Sequence, residues 1–154
     1  MTTDPVQGPE DCICLAVRQA ARHVTQFYDQ FLAPAGLRTS QFSVLAKLKR
    51  LGPLTINALA AELVMDRTTL GRNILPLERE GLIAVETGKS DRRSKELRLT
   101  HAGAARLRSA AKRRTEAQAR FEAAFGHKRT PELRALLRAV TATDLGSASD
   151  HDAN

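Results

Sequence analysis

Residues 66–100 read DRTTLGRNILPLEREGLIAVETGKSDRRSKELRLT. The stretch opens as a helix. Asp66 is a good N-cap, because a carboxylate accepts hydrogen bonds from the orphan N–H groups of a first turn. Leu70, Ile74 and Leu77 recur at helical spacing and give one apolar face, with Thr68, Arg72 and Arg79 on the opposite side. Gly81 is a natural C-terminal stop. Leu82 to Thr87 then switches to a strand-like pattern. Lys95 to Thr100 repeats the switch, with Leu97 and Leu99 alternating against Glu96 and Arg98. Between them lies a polar loop, residues 88–94, that carries Lys89, Arg92 and Arg93. The unit is a helix followed by a hairpin with a basic tip.

Working outward, Thr55 to Val64 reads as a second short helix, capped by Thr55, with Ile56, Leu59, Ala60 and Leu63 as its apolar stripe. Met65 and Asp66 leave room only for a tight turn. Two short helices joined by a tight turn, then a basic-tipped hairpin, is the plan of a winged helix-turn-helix. The second helix fits the major groove of double-stranded DNA. The hairpin tip can reach the flanking backbone or the minor groove, whose negative potential favours arginine.

On that plan Thr68, Thr69 and Arg72 are the candidates for the major groove. Arginine pairs bidentately with guanine, and threonine meets a base edge or a thymine methyl. Gly71 has no side chain and permits close approach. Arg67, in the first turn, is placed for phosphate. Asn73 lies to the side, as a contact or a surface residue, and Thr55 at the start of the upstream helix completes the helical set. Leu75 falls outward, and Pro76 introduces a bend that the sequence does not define. At the wing the candidates are Lys89, Arg92, Arg93 and Lys95. The alternative is that all these charges form an ordinary solvated face. Their clustering at the two places a winged helix needs them favours DNA.

The chain has 154 residues, a net charge of +7, 42% hydrophobic and only 4% aromatic residues, which suits one domain with an aliphatic core and a polyanionic partner. No apolar run approaches a membrane span and no secretory pattern opens the chain. Two cysteines, Cys12 and Cys14, do not make a disulfide framework, and a cytoplasmic location is expected. No phosphate-binding glycine loop, HExxH or paired CxxC motif is present. The histidines at 23, 101, 127 and 151 are scattered, and His23 is expected to be a partly buried structural residue. Carboxylates form no acid–base pair. Neither a catalytic site, a metal site nor a cofactor is expected, and the chain does not read as an enzyme.

In order, residues 1–9 read as a flexible arm, 10–145 as a single domain and 146–154 as a disordered tail. Within the domain, residues 38–100 form the winged-helix core, and 10–35 and 101–145 form long flanking helices. Ile13, Val17, Ala20, Ala21, Val24, Phe27, Tyr28 and Phe31 make an apolar stripe on the first helix. Thr39 or Ser40 is expected to cap the next, with Phe42, Leu45, Leu48 and Leu51 inward. His101 to Phe125 is a second long helix ended by Gly126. Thr130-Pro131-Glu132 reads as the start of the last, with Thr130 as cap and Leu133, Leu136, Leu137 and Val140 on its apolar side. These flanking faces exceed what a small DNA-binding core needs. They are read as a homodimer interface, the alternative being an intramolecular bundle.

The chain resembles the MarR family of bacterial transcription regulators over roughly residues 11–143. Three features carry the resemblance: the second helix ending in PLEREGL, the wing-tip Asp91-Arg92-Arg93, and the exit Leu99-Thr100-His101-Ala102-Gly103 into a long helix. The resemblance implies a mainly α fold with a small β-hairpin, and dimerisation through paired N- and C-terminal helices. It places Arg93 in or near the minor groove and has Asp91 brace the wing by pairing with an arginine. It also implies a small aromatic or acidic effector bound between the dimerisation helices and the DNA-binding core, where Arg22, Tyr28, Phe31 and Phe42 are candidates. Packing is the alternative role for Phe31 and Phe42. The implied function is a sequence-specific regulator, a repressor that binds a palindromic operator and is released by its effector. Two alternatives stand beside it. One is an architectural DNA binder with little sequence preference. The other is a redox sensor, because organic-hydroperoxide sensors of this family carry a reactive cysteine at the position of Cys14 and a thiolate-binding tyrosine at that of Tyr28. This chain has Arg18 and Thr39 where those sensors have further tyrosines. Two residues apart on a helix, Cys12 and Cys14 would point to different sides, and burial as small hydrophobes is the competing reading.

Overall fold

The computed structural model describes residues 8–147. The readings of a flexible arm before Gly8 and a tail beyond Ser147 lie outside the described residues. The chain divides into two compact units, one running up to Ala117 and the other from Gln118 onward.

The first unit begins with a short 3-10 turn, Pro9–Asp11, and helix α1, Ile13–Leu32. Helix α2, Thr39–Leu51, follows a glycine turn at Gly36. Strand β1, Leu54–Thr55, leads into α3, Ile56–Glu62, and α4, Arg67–Arg79. Strands β2, Ile83–Thr87, and β3, Lys95–Leu99, form the hairpin, and α5, His101–Phe125, starts one residue later. The sheet is antiparallel with order β1-β3-β2. Leu54 faces Leu97, and Val85 lies across from Leu97 on the other side. Strand β1 was not legible in the sequence: two residues beside Pro53 carry no periodicity, and only pairing with β3 makes them a strand.

The core is aliphatic and sits where α2, α3, α4 and the sheet meet. Leu45, Leu59, Leu70 and Leu77 are fully shielded, with Leu82 and Ile83 nearly so. Asp29 on α1 ties the next helix down: its Oδ1 accepts from both the backbone N–H and the hydroxyl of Thr39, each at 2.7 Å. Thr39 is therefore the first residue of α2, held by α1, and neither it nor Ser40 caps the helix. Arg38 occupies the cap position, and its N–H donates to Gln41 Oε1 at 3.0 Å. Leu51, expected inward, ends α2 on the surface at 41% exposure, because the chain turns away at Gly52.

Much of α1 finds no cover among the described residues. Ile13 is 75% and Val17 43% exposed, and His23 is exposed, not partly buried as expected. Both cysteines are exposed as well. Cys12 stands outside the helix with extended backbone (φ −76°, ψ 113°). The different-sides geometry of two helical residues therefore does not apply to Cys12 and Cys14.

In the second unit the last part of α5 leads through Gly126 to α6, Arg129–Ala142. Phe121 and Phe125 stack at 5.4 Å, with the Arg129 guanidinium 4.2 Å above the Phe125 ring. Thr130 is not the cap. It lies inside α6, buried, with its hydroxyl donating to the Gly126 carbonyl at 2.8 Å, so the helix starts one residue before it. Leu136, Leu137 and Val140 are all about half exposed or more.

Candidate nucleic-acid interface

The turn between α3 and α4 sets the presentation of α4. Met65 N–H donates to the Ala60 carbonyl at 2.9 Å, closing a C-terminal motif whose left-handed position is taken by Val64 at φ 50°. Glycine usually holds that position. A β-branched residue there stores about 1–2 kcal/mol of strain.

Asp66 then caps α4. Its Oδ1 accepts the Thr69 N–H at 2.8 Å, and its Oδ2 accepts the Thr69 hydroxyl at 2.6 Å. The Thr69 hydroxyl, followed by the Thr69 N–H, holds the carboxyl below its ordinary pKa. The sign follows from a depressed folded value. The cap's contribution is complete above the unfolded pKa and is lost only as pH falls through the lowered one.

Along α4, Leu70, Ile74 and Leu77 face the core. Thr68, Arg72, Leu75 and Arg79 occupy the opposite ridge and are exposed, and Arg67 stands exposed in the first turn. Pro76 lies within the helix, near its C-terminal end. Gly71 has open space where a Cβ would sit. Asn73 is turned aside: half-buried, its Nδ2 donates to the Thr69 carbonyl at 3.1 Å and approaches Met65 Sδ at 3.8 Å. It joins the turn to the helix. Thr55 is likewise engaged, its Oγ1 accepting the Ala58 N–H at 3.1 Å as the cap of α3.

The wing is built by its own tip. Gly88 N–H donates to the Ser94 carbonyl at 2.8 Å, and Ser94 returns both N–H and hydroxyl to the Asp91 carbonyl. Asp91 braces the tip, but not through a guanidinium. Its Oδ1 accepts the backbone N–H of Arg93 at 2.9 Å. An Asx turn is the shorter route in a loop this tight, and it leaves the Arg92 and Arg93 side chains outward. Both are exposed, as are Lys89 and Lys95.

Some cations of this unit are held by carboxylates. Lys47 pairs with Glu62 at 3.1 Å, Arg98 with Glu86 at 2.9 Å, and Arg106 lies 3.7 Å from Glu80. Among the described residues, Arg67, Arg72, Arg79, Lys89, Arg92, Arg93 and Lys95 have no carboxylate partner. The arrangement presents a helix and a loop of uncompensated positive charge, which is what a phosphate backbone neutralises.

The remaining candidates are less tightly grouped. Tyr28 and Phe31 each meet Phe27 edge-on, at 5.8 and 5.1 Å between centroids, while Phe42 lies 5.8 Å beneath Arg114. Arg22 is exposed on α1. A separate cleft of about 640 Å³ runs along α5, lined by Arg108, Ser109, Lys112, Arg113 and Glu116. Among the described residues no cluster of His, Cys, Asp or Glu could hold a metal ion, and no helix is long and apolar enough to cross a membrane. Sequence reading missed the second bond of Asp66 and the inward role of Asn73. The Asp-x-x-Thr spacing is the signal that points to the first.

The MarR family model matches residues 37–95. The HTH-type transcriptional regulator YwoH of Bacillus subtilis is 34% identical over 84 residues, which is 54% of this chain and 61% of that relative's length. The chain is similar to the M. tuberculosis transcriptional regulator MosR, with 35% identity and a TM-score of 0.73 over 87% of this chain and 98% of that one. The same regulator solved in complex with DNA gives 36% identity and a TM-score of 0.73, over 86% and 98%.

Proposed function

This chain belongs to the MarR family of winged-helix transcription regulators, and we propose that it represses transcription by binding a palindromic operator as a homodimer. The observation that carries the reading is the set of unpaired cations on α4 and the wing. Arg72 and Thr68 serve as base readers, Arg67 and Arg79 as phosphate contacts, and Arg92 and Arg93 as wing contacts beside the minor groove. A 36% identical regulator has been solved in complex with DNA, which supports DNA as the partner. One reading helix per chain covers one half-site, so two chains are needed for a palindrome. The uncovered apolar residues Ile13 and Val17 on α1, and Leu136 and Val140 on α6, supply surface for that partner.

Selection of bound sequences from a random duplex pool tests this directly. The expected result is an enriched inverted repeat, with half-site centres about one helical turn apart, bound by two chains. Binding at full strength by a monomer, or enrichment of no sequence, would sink it. The second outcome would make the protein an architectural binder.

Release is proposed to follow a small aromatic or acidic effector, for which Tyr28 and Phe31 offer ring faces and Arg22 a charge. A second reading is favoured by one observation, the exposure of both thiols. Cys14 lies exposed in the first turn of α1, within reach of an oxidant in solution. A hydroperoxide would oxidise it to the sulfenic acid, the peroxide being reduced to its alcohol. On this reading a few equivalents of cumene hydroperoxide release the parent protein from its operator and leave Cys14→Ser bound. If the parent also stays bound, Cys14 is not a sensor.

A further inference from the structure

The two adjacent threonines at the start of α4 are not equivalent. The Thr68 hydroxyl is exposed and has no partner among the described residues. Every polar group of Thr69 is engaged inside the protein. Its N–H and hydroxyl are held by the two oxygens of Asp66, and its carbonyl accepts the Asn73 amide. Asn73 is itself half-buried against Met65 in the turn. Yet Thr69 is exposed, in the first turn of the helix read as entering the groove. With the hydroxyl held on Asp66, rotation of the side chain is restrained, and its methyl is the group left without an engagement.

We propose that Thr69 is an apolar specificity residue that reads the C5 methyl of a thymine, and that Asp66 is the positioning residue that selects the rotamer for it. Polar readout is thereby left to Thr68 and Arg72. The major groove distinguishes thymine by its methyl as well as by its O4 acceptor, and a threonine methyl is a suitable partner for it. A threonine free to rotate would present hydroxyl and methyl in turn and discriminate less. An Asp66 carboxylate that binds the hydroxyl removes that ambiguity, and the Asn73 amide fixes the turn beneath it.

The inference rests on the reading that α4 lies in the major groove, and its test separates the two. Each thymine of the selected operator is replaced in turn by uracil, which removes the methyl and keeps every hydrogen-bonding edge. The parent is expected to lose about fourfold in affinity at one thymine per half-site, the worth of one buried methyl-sized group. Thr69→Ser keeps both bonds to Asp66 and lacks the methyl, so it should bind the thymine and uracil duplexes equally. Asp66→Asn still caps Thr69 N–H through its amide oxygen but has no second oxygen to accept from the Thr69 hydroxyl. It should show reduced thymine-over-uracil discrimination with an unchanged salt dependence. If Thr69→Ser retains the parent's discrimination, or if no thymine in the operator is methyl-sensitive, the proposal is wrong while the groove-binding reading stands. If Arg72→Ala leaves sequence preference untouched as well, the groove-binding reading fails too.

Discussion

Raising the salt from about 50 mM to about 200 mM is expected to weaken DNA binding about a thousandfold or more. The cause is the unpaired charge on α4 and the wing. Arg67, Arg72, Arg79, Lys89, Arg92, Arg93 and Lys95 are exposed, with no carboxylate partner among the described residues. No ion pair has to be broken to engage them, and their gain on DNA comes from releasing condensed counterions. If roughly six phosphates are neutralised per dimer, the slope of log affinity against log salt is about −5. Two substitutions divide this quantity. Arg93→Ala removes a wing contact from each half-site, so the slope should shallow by about 1 per half-site, with base preference kept. Arg72→Ala should cost about 1–3 kcal/mol and relax preference at one base position. A titration by fluorescence anisotropy across a salt series measures both. Salt-insensitive binding, or identical signatures for the two variants, would contradict the division of labour between groove and wing.

The helix-turn-helix and hairpin were legible because their residues act locally. Leu70, Ile74 and Leu77 repeat at 3.6-residue spacing, Asp66 caps within three residues, and Leu97 and Leu99 alternate. Each signal is complete within a few positions. What the sequence hid depends on partners distant in the chain. Strand β1 exists because Leu54 pairs with Leu97. Thr39 looks like a cap until Asp29, ten residues earlier, takes its N–H and hydroxyl. Thr130 likewise looks like a cap until its hydroxyl finds Gly126, which moves the helix start. At the candidate interface, residue type marked the polar positions of α4 and the wing, but not which of them the fold turns inward. Asn73 and Arg67 are both polar residues of one helix, and only the turn at Met65 draws Asn73 inward. Asp91 was expected to hold a guanidinium, and the tight loop gives it a backbone amide instead.

Gly103→Ala is expected to destabilise the protein by about 3 kcal/mol, lowering Tm by roughly 10 °C at fixed protein concentration. Intrinsic propensity argues the other way, since alanine gains about 1 kcal/mol over glycine inside a helix. Packing decides the sign. A Cβ at Gly103 would collide with the Leu82 carbonyl oxygen, and would lie 2.9 Å from the Leu82 carbonyl carbon and 2.7 Å from Leu99 Cδ1. The first two are backbone atoms and cannot swing away. Leu82 is also the point where three elements are fastened. Its N–H closes the end of α4 on the Leu77 carbonyl at 2.9 Å, and its carbonyl accepts Thr100 N–H at 3.1 Å. The Thr100 hydroxyl donates to the Gly81 carbonyl at 2.6 Å and accepts Gly103 N–H at 3.0 Å. Pushing α5 off Leu82 therefore loosens the end of the reading helix and the root of the wing together, and operator affinity should fall with stability. Gly71→Ala is the matched control. It lies in a helix with open space at its Cβ, so it should raise stability by up to about 1 kcal/mol while weakening DNA binding by holding α4 off the groove. Thermal unfolding and operator binding on the two variants read these signs. A Gly103→Ala protein that melts with the parent would show that α5 does not approach Leu82 closely in solution.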